Sequence, residues 1–339
     1  VKILIPTRNR PTSLRGLLEY LARFYPEADI LVADGSTPEF QQQNEAYVAS
    51  LSTRIDYRAY DEEIGLFERL SLVLDSIDDE FITMNADDDY PILETLELAE
   101  RRLAETPGAS FAGGHLIHIN INSVKSSIAR LDAVRDITTD DVADRLLLFG
   151  AFPFTTSYGV ARRELLVERY QFLQTWTSTS FFDLAVGLMD LIHGKFVSVP
   201  EFAFLCTRNE VHSYYRPEDG LAYLRNASKV LDLNDHLVKR VVAAGHDFDD
   251  ATEVVGSVIA RRLGGVVGHP PFRLQGFADT YPYNTPEMAD ARDKIAELFT
   301  EGTAERAKYA DKLAFIAANV QATLTSTDNA GEEAVYGTL

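Results

Sequence analysis

In the first hundred residues, short apolar runs alternate with stretches whose apolar residues recur every three or four positions. This order restricts the fold more than any other feature. Residues 1–5, 30–33, 55–60 and 81–84 read as buried strands. Leu14, Leu17, Leu18 and Leu21 fall on one face of a helix that Thr12 or Ser13 can cap. Phe67, Leu70, Leu74 and Ile77 mark a second helix over 66–77, and Leu93, Leu96 and Leu103 a third. Alternation of this kind builds a mostly parallel sheet covered by helices. Ligands of open parallel sheets bind beyond the carboxyl ends of the strands, so the loops PTRNRP, DGS and NADDDY are expected to converge on one crevice.

Further on, Ile117, Ile119 and Ile121 alternate with His118 and Asn120, which predicts a strand with one polar face, antiparallel or at an edge. The sheet is therefore expected to be mixed. DVADRLLLFG reads as a helix, 155–161 as a strand, 182–193 as a helix ended near Gly194, and 195–199 and 202–207 as strands. Long helical stretches follow at 222–244, 252–263, 286–300 and 304–324. The expected division is an α/β unit over 1–216, a helical region over 217–325 and a tail over 326–339.

With 339 residues, 46% of them hydrophobic, the chain can bury a sizeable core. Its 32 basic and 52 acidic side chains give a formal charge of −20, which argues against nucleic acid and anionic lipid surfaces as partners. The single cysteine, Cys206, sits in the apolar context FAFLCT and reads as a small buried hydrophobe rather than a reactive thiol. No run of about 18 apolar residues is present, so no membrane span is expected. A cytoplasmic protein is expected, with peripheral attachment to the inner face of a membrane, and self-association, left open.

Three consecutive carboxylates, Asp87, Asp88 and Asp89, follow a buried strand. Such charges resist joint ionisation unless a cation neutralises them, and hard oxygen ligands suit Mg²⁺ or Mn²⁺. An acidic solvated turn is the plainer alternative. Arg8 and Arg10 end the first strand, where guanidinium forks could meet phosphates or balance the nearby acids. Asp34 precedes Gly35, as a nucleotide-binding acceptor or as a plain Asp-Gly turn.

Together these loops resemble glycosyltransferase family 2 over residues 1–216. The resemblance implies a GT-A fold and metal-dependent, inverting transfer of a sugar from a nucleotide-diphosphate donor, a UDP-sugar foremost, to a saccharide, lipid-linked or protein hydroxyl. It matches Pro6, Thr7 and Arg8, with Arg10, to the nucleotide loop, Asp34 to the base-contacting acid and Gly65 to the glycine before the nucleotide-facing helix. Arg69 corresponds to the family's Arg-Asn, and Asn85 stands where the first acid of Asp-x-Asp-Asp usually does. Asp87 and Asp88 then complete that element, while Asp89 permits a shifted register in which Asp87 and Asp89 ligate the metal with His212. Asp183 matches the catalytic base, and Arg208 and Arg216 could steady the leaving diphosphate. A sugar-phosphate nucleotidyltransferase would carry a glycine-rich first loop in place of PTRNRP, and a non-catalytic nucleotide-sugar or metal-binding module would not need Asp183.

Overall fold

The computed structural model describes residues 1–121, 126–151, 154–174, 182–208, 227–267, 286–298 and 300–325. The chain opens as β1 (Lys2–Thr7), α1 (Pro11–Phe24), β2 (Asp29–Asp34), α2 (Pro38–Ser50), β3 (Ile55–Ala59), α3 (Leu66–Asp75) and β4 (Phe81–Met84). Next come β5 (Asp89–Pro91), α4 (Leu93–Glu105), β6 (Ala109–Ile121), β7 (Ser126–Asp132), α5 (Val142–Ala151) and β8 (Val160–Arg162). After α6 (Arg163–Leu173), α7 (Phe182–His193) and β9 (Lys195–Arg208) the described chain is helical: α8 (Ala227–Ala243), α9 (Phe248–Val267), α10 (Pro286–Leu298) and α11 (Ala304–Thr325).

The strands form one mixed sheet in the order β3-β2-β1-β4-β8-β6-β9-β5, with β7 beside β6. Strands β1 to β4 pair in parallel, β8 runs antiparallel to both neighbours, and β6 and β9 are parallel. This is the α/β fold that the alternation predicts. Side chains of successive strand residues point to opposite faces. Leu4 and Leu31 accordingly join a core with α3, α5, α6, α7, α8 and α9, while Ile3, Ile5, Ile30 and Val32 join a second core with α1, α4 and α11. The C-terminal helices are thus shared between the two faces of the sheet. No described helix is long and apolar enough to cross a membrane.

Several elements differ from the sequence expectation for local reasons. Helix α2 buries only Asn44, so it lacks the apolar stripe that marks the others. The strand expected over 155–161 is confined to β8, because Gly159 at φ 148° crosses so close to β6 that a Cβ there would lie 2.5 Å from the Ala112 carbonyl oxygen. The two strands expected over 195–207 are one, β9, whose pairing with β6 shifts register around Pro200, a residue that cannot donate to a ladder. Helix α1 starts at Pro11, with Arg10 and not Thr12 or Ser13 at its N-cap.

Helices α6 and α7 are joined by a fully buried ion pair, Arg169 Nη2 to Asp190 Oδ1, with side chains 1% and 0% exposed. Breaking a buried pair leaves the surviving charge uncompensated, at about 3–5 kcal/mol. Asp190→Leu alone should therefore destabilise the chain by about that amount in urea titration. Adding Arg169→Met should restore much of the loss, since an apolar pair leaves no charge stranded.

Candidate active site

The site begins at the carboxyl ends of three neighbouring strands, β2, β1 and β4. Thr7 closes β1, and its carbonyl oxygen accepts from Gly35 N–H at 3.1 Å, tying the first loop to the second. Asn9 then adopts φ 54°, a left-handed conformation that asparagine tolerates better than most residues. Its N–H donates to Ser36 Oγ at 2.8 Å, and its side-chain oxygen accepts from Thr37 N–H at 2.9 Å. This kink directs Arg10 back over the acidic loop just before Pro11 starts α1.

Arg10 is buried and spans two carboxylates. Its Nη1 donates to Asp87 Oδ1 at 2.6 Å and its Nη2 to Asp88 Oδ2 at 2.5 Å. Thr7 Oγ1 donates to the other Asp87 oxygen at 2.7 Å. Asp89 has different partners: Thr207 N–H donates to its Oδ1 at 2.8 Å, and Tyr158 Oη donates to its Oδ2. Burial, together with the Asp88 carboxylate, pushes Asp89 up to about 8. Asn85 is buried, and its amide donates to the carbonyls of Ala86 at 2.6 Å and Asp89 at 2.9 Å, which fixes the turn that presents the acids. Arg10 thus spans Asp87 and Asp88, while Asp89 is held by β9 and Tyr158.

The second loop is organised around Asp34, which is fully buried. Its carboxylate accepts from Ser36 N–H, Asn44 Nδ2 and Tyr57 Oη, each at 2.7 Å. Beside it, the Arg69 guanidinium of α3 lies directly over Gly35, where a Cβ would fall 1.4 Å from Nη1. Arg69 Nη2 donates to Thr7 O at 3.3 Å, while Nε and Nη1 have no hydrogen-bond partner among the described residues. Burial, reinforced by Arg8, pulls Arg69 down to about 10 against the pull of the Asp34 and Asp87 carboxylates. It remains a cation at neutral pH.

The structure therefore brings together Thr7, Arg10, Asp34, Arg69, Asn85, Asp87 and Asp88. Pro6 lies in β1 just before them, Arg8 is exposed on the same loop, and Gly65 is exposed at the N-cap of α3. Asp183 is the second residue of α7, with nothing described of its side chain. His212 and Arg216 lie outside the described residues, as does the Arg208 side chain. Asn9, Ser36, Asn44, Tyr57, Tyr158 and Thr207 are additional parts of the site. Asn9 and Ser36 lie in the quoted loops PTRNRP and DGS, whereas Asn44, Tyr57, Tyr158 and Thr207 carry no motif, because each acts by bonding a neighbour in space.

Among the described residues, no group of three or more His, Cys, Asp or Glu side chains is arranged to hold a metal. The donor chemistry nonetheless suits a hard divalent cation. Two adjacent carboxylates, Asp87 and Asp88, both accept from one cationic group, the Arg10 guanidinium, so they present hard oxygen donors side by side.

No protein-family model matches the sequence, and no curated protein matches it. Among solved structures, S. aureus TarS 1–349 in complex with UDP-GlcNAc is similar, with a TM-score of 0.51 at 17% identity over 99% of this chain and 91% of that one. Against a longer S. aureus TarS structure the score is 0.51 at 16% identity, over 95% of this chain and 53% of the other. The mannosyltransferase PcManGT from Pyrobaculum calidifontis, in complex with GDP-Man and Mn²⁺, aligns at 0.46 with 14% identity, over 99% of this chain and 85% of that one. At such identities the likeness is one of fold, an α/β architecture shared with glycosyltransferase neighbours.

The Arg69 guanidinium occupies the space that a side chain at residue 35 would take, so the two can coexist only if the guanidinium moves. Gly35→Ala should displace the guanidinium and destabilise the protein by about 1–3 kcal/mol, the usual effect of overpacking a filled interior. Urea denaturation checks this, and a stability equal to wild type would mean that Arg69 has another place to go.

Proposed function

We propose that this chain transfers a sugar from a nucleotide-diphosphate donor to a hydroxyl acceptor, with inversion and with a divalent cation. The observation that carries the reading is the junction of three strand-end loops, in which Arg10 from the first spans Asp87 and Asp88 from the third beside the Asp34-Gly35 turn of the second. Likeness in fold to TarS, held with UDP-GlcNAc, accords with a UDP-sugar donor. GDP-Man is a second donor to try.

In this reading Pro6, Thr7, Arg8 and the Asp34 loop cradle the nucleoside, with Gly65 at the mouth of the crevice and Arg69 supplying positive charge beneath it. Asp87 and Asp88 take the cation, Mn²⁺ or Mg²⁺, with His212 as a third ligand. Asp89 holds the turn against β9. When bound, the cation offsets negative charge gathering on the departing diphosphate. Asp183 takes the proton of the acceptor hydroxyl while that oxygen bonds to the anomeric carbon and the bond to the diphosphate breaks. Saccharide, lipid-linked and protein hydroxyls all fit this chemistry. A cytoplasmic placement, where nucleotide sugars are made, completes the proposal.

Differential melting with UDP-GlcNAc and GDP-Man, with and without Mn²⁺, tests donor binding, because a ligand of the native state raises its apparent stability. A metal-dependent rise with one of them is expected. No rise with either, under any metal condition, would remove the basis for the proposal.

Asp183→Asn should keep metal-dependent donor binding while kcat with a verified acceptor falls by about 10² to 10⁴-fold, the usual contribution of a general base. Near-normal turnover would take Asp183 out of the mechanism.

A further inference from the structure

This step rests on the sugar-transfer reading but concerns Arg10 alone. The Arg10, Asp87 and Asp88 side chains are 6%, 4% and 21% exposed, so the bridge is largely shielded from water. A guanidinium is planar, with N–H groups that diverge. One position lets Arg10 bond Asp87 with Nη1 and Asp88 with Nη2. A metal ion ligated by those same two oxygens, Asp87 Oδ1 and Asp88 Oδ2, would require that same position. The two cations therefore exclude one another. Moving the guanidinium off both carboxylates breaks two charged hydrogen bonds, a loss that a new anionic partner offsets. A nucleoside diphosphate is such an anion, since guanidinium forks pair with phosphate oxygens as they do with carboxylates.

We infer that Arg10 is a built-in surrogate for the divalent cation, holding Asp87 and Asp88 until a diphosphate draws the guanidinium away, so that metal and donor load together. Mn²⁺ alone then competes with Arg10 and binds weakly. Diphosphate and Mn²⁺ each raise the other's affinity by the same factor, because linkage between binding sites is reciprocal.

The decisive experiment titrates Mn²⁺ calorimetrically into the full chain without nucleotide, comparing wild type with Arg10→Gln and Arg10→Lys, each checked for fold by circular dichroism. Arg10→Gln should bind Mn²⁺ roughly 5- to 150-fold more tightly than wild type, the span of ordinary coupling between sites. Adding Asp88→Asn to it should abolish that gain. Arg10→Lys keeps a charge that cannot span both acids, so it should fall between, and it answers the question if the glutamine variant does not fold. Equal Mn²⁺ affinity in wild type and variants, or a gain that survives Asp88→Asn, overturns the inference. With UDP present, wild type should bind Mn²⁺ more tightly and Arg10→Gln should respond much less. If neither UDP nor GDP binds even with Mn²⁺, the sugar-transfer reading falls, while the nucleotide-free series still decides whether Arg10 stands in for the cation.

Discussion

Arg10 meets Asp87 and Asp88 across 77 and 78 residues of chain, and the shape of the crevice depends on that meeting. Adjacent carboxylates under a sheet edge repel one another and lose hydration, and a buried guanidinium loses as much. Together they offset these losses, whereas either partner alone would not. The geometry has three supports. The strand order puts β2, β1 and β4 side by side, the left-handed Asn9 turns the chain, and Pro11 begins α1 at once so that Arg10 has no further loop in which to wander. Ser36 and Thr37 bind Asn9 from the second loop, so a disturbance of either loop reaches the acids.

The second loop shows a different use of buried charge. Asp34 is saturated by three donors, one from its own turn, one from α2 and one from β3. Asn44 is the one residue α2 fully buries, and its contact with Asp34 ties the helix to the sheet end beside the partly buried Tyr47 and Val48. Arg69, in contrast, keeps two nitrogens without a hydrogen-bond partner among the described residues, packed against Gly35. A buried donor without an acceptor carries a desolvation penalty of about 1–3 kcal/mol. In the sugar-transfer reading, that unmet capacity is where an incoming ligand's oxygens would be most strongly drawn.

Much of this was legible in the sequence because strand and helix periods differ. Leu14, Leu17, Leu18 and Leu21 announce α1 and are all fully buried, and the apolar runs of β1, β2 and β4 are ended by the loops that form the site. The sequence was silent where position depends on a partner in space. An Asp-Gly pair reads alike as a turn or a ligand, and only the Arg69 guanidinium above it shows why glycine is required. Likewise the run of three aspartates does not reveal which pair Arg10 spans. Tyr158 and Thr207, far along the chain, hold the third. Helix α2 and the three-residue strands β5 and β8 lack enough residues of one kind to leave a period.

The C-terminal helices also bear on the site, although none of the described charged groups of the site comes from them. Asn319 of α11 donates to Gly16 O of α1 at 3.4 Å, and Lys312 pairs with Glu94 at the start of α4 at 2.8 Å. Helix α1 begins one residue after Arg10, and α4 begins shortly after the acids. Helix α11 therefore braces both elements at the ends that carry the chemistry. A small pocket lined by Thr12, Ser13, Gly16, Asp88, Tyr90, Thr207 and Val320 lies where these parts meet. Asp88, the more exposed of the two carboxylates that Arg10 spans, faces this pocket, so the packing of α11 sets how far water or a ligand can approach it. Residues more than 200 positions apart thus govern one carboxylate, which is why a helical region without a readable motif belongs to any physical account of the site.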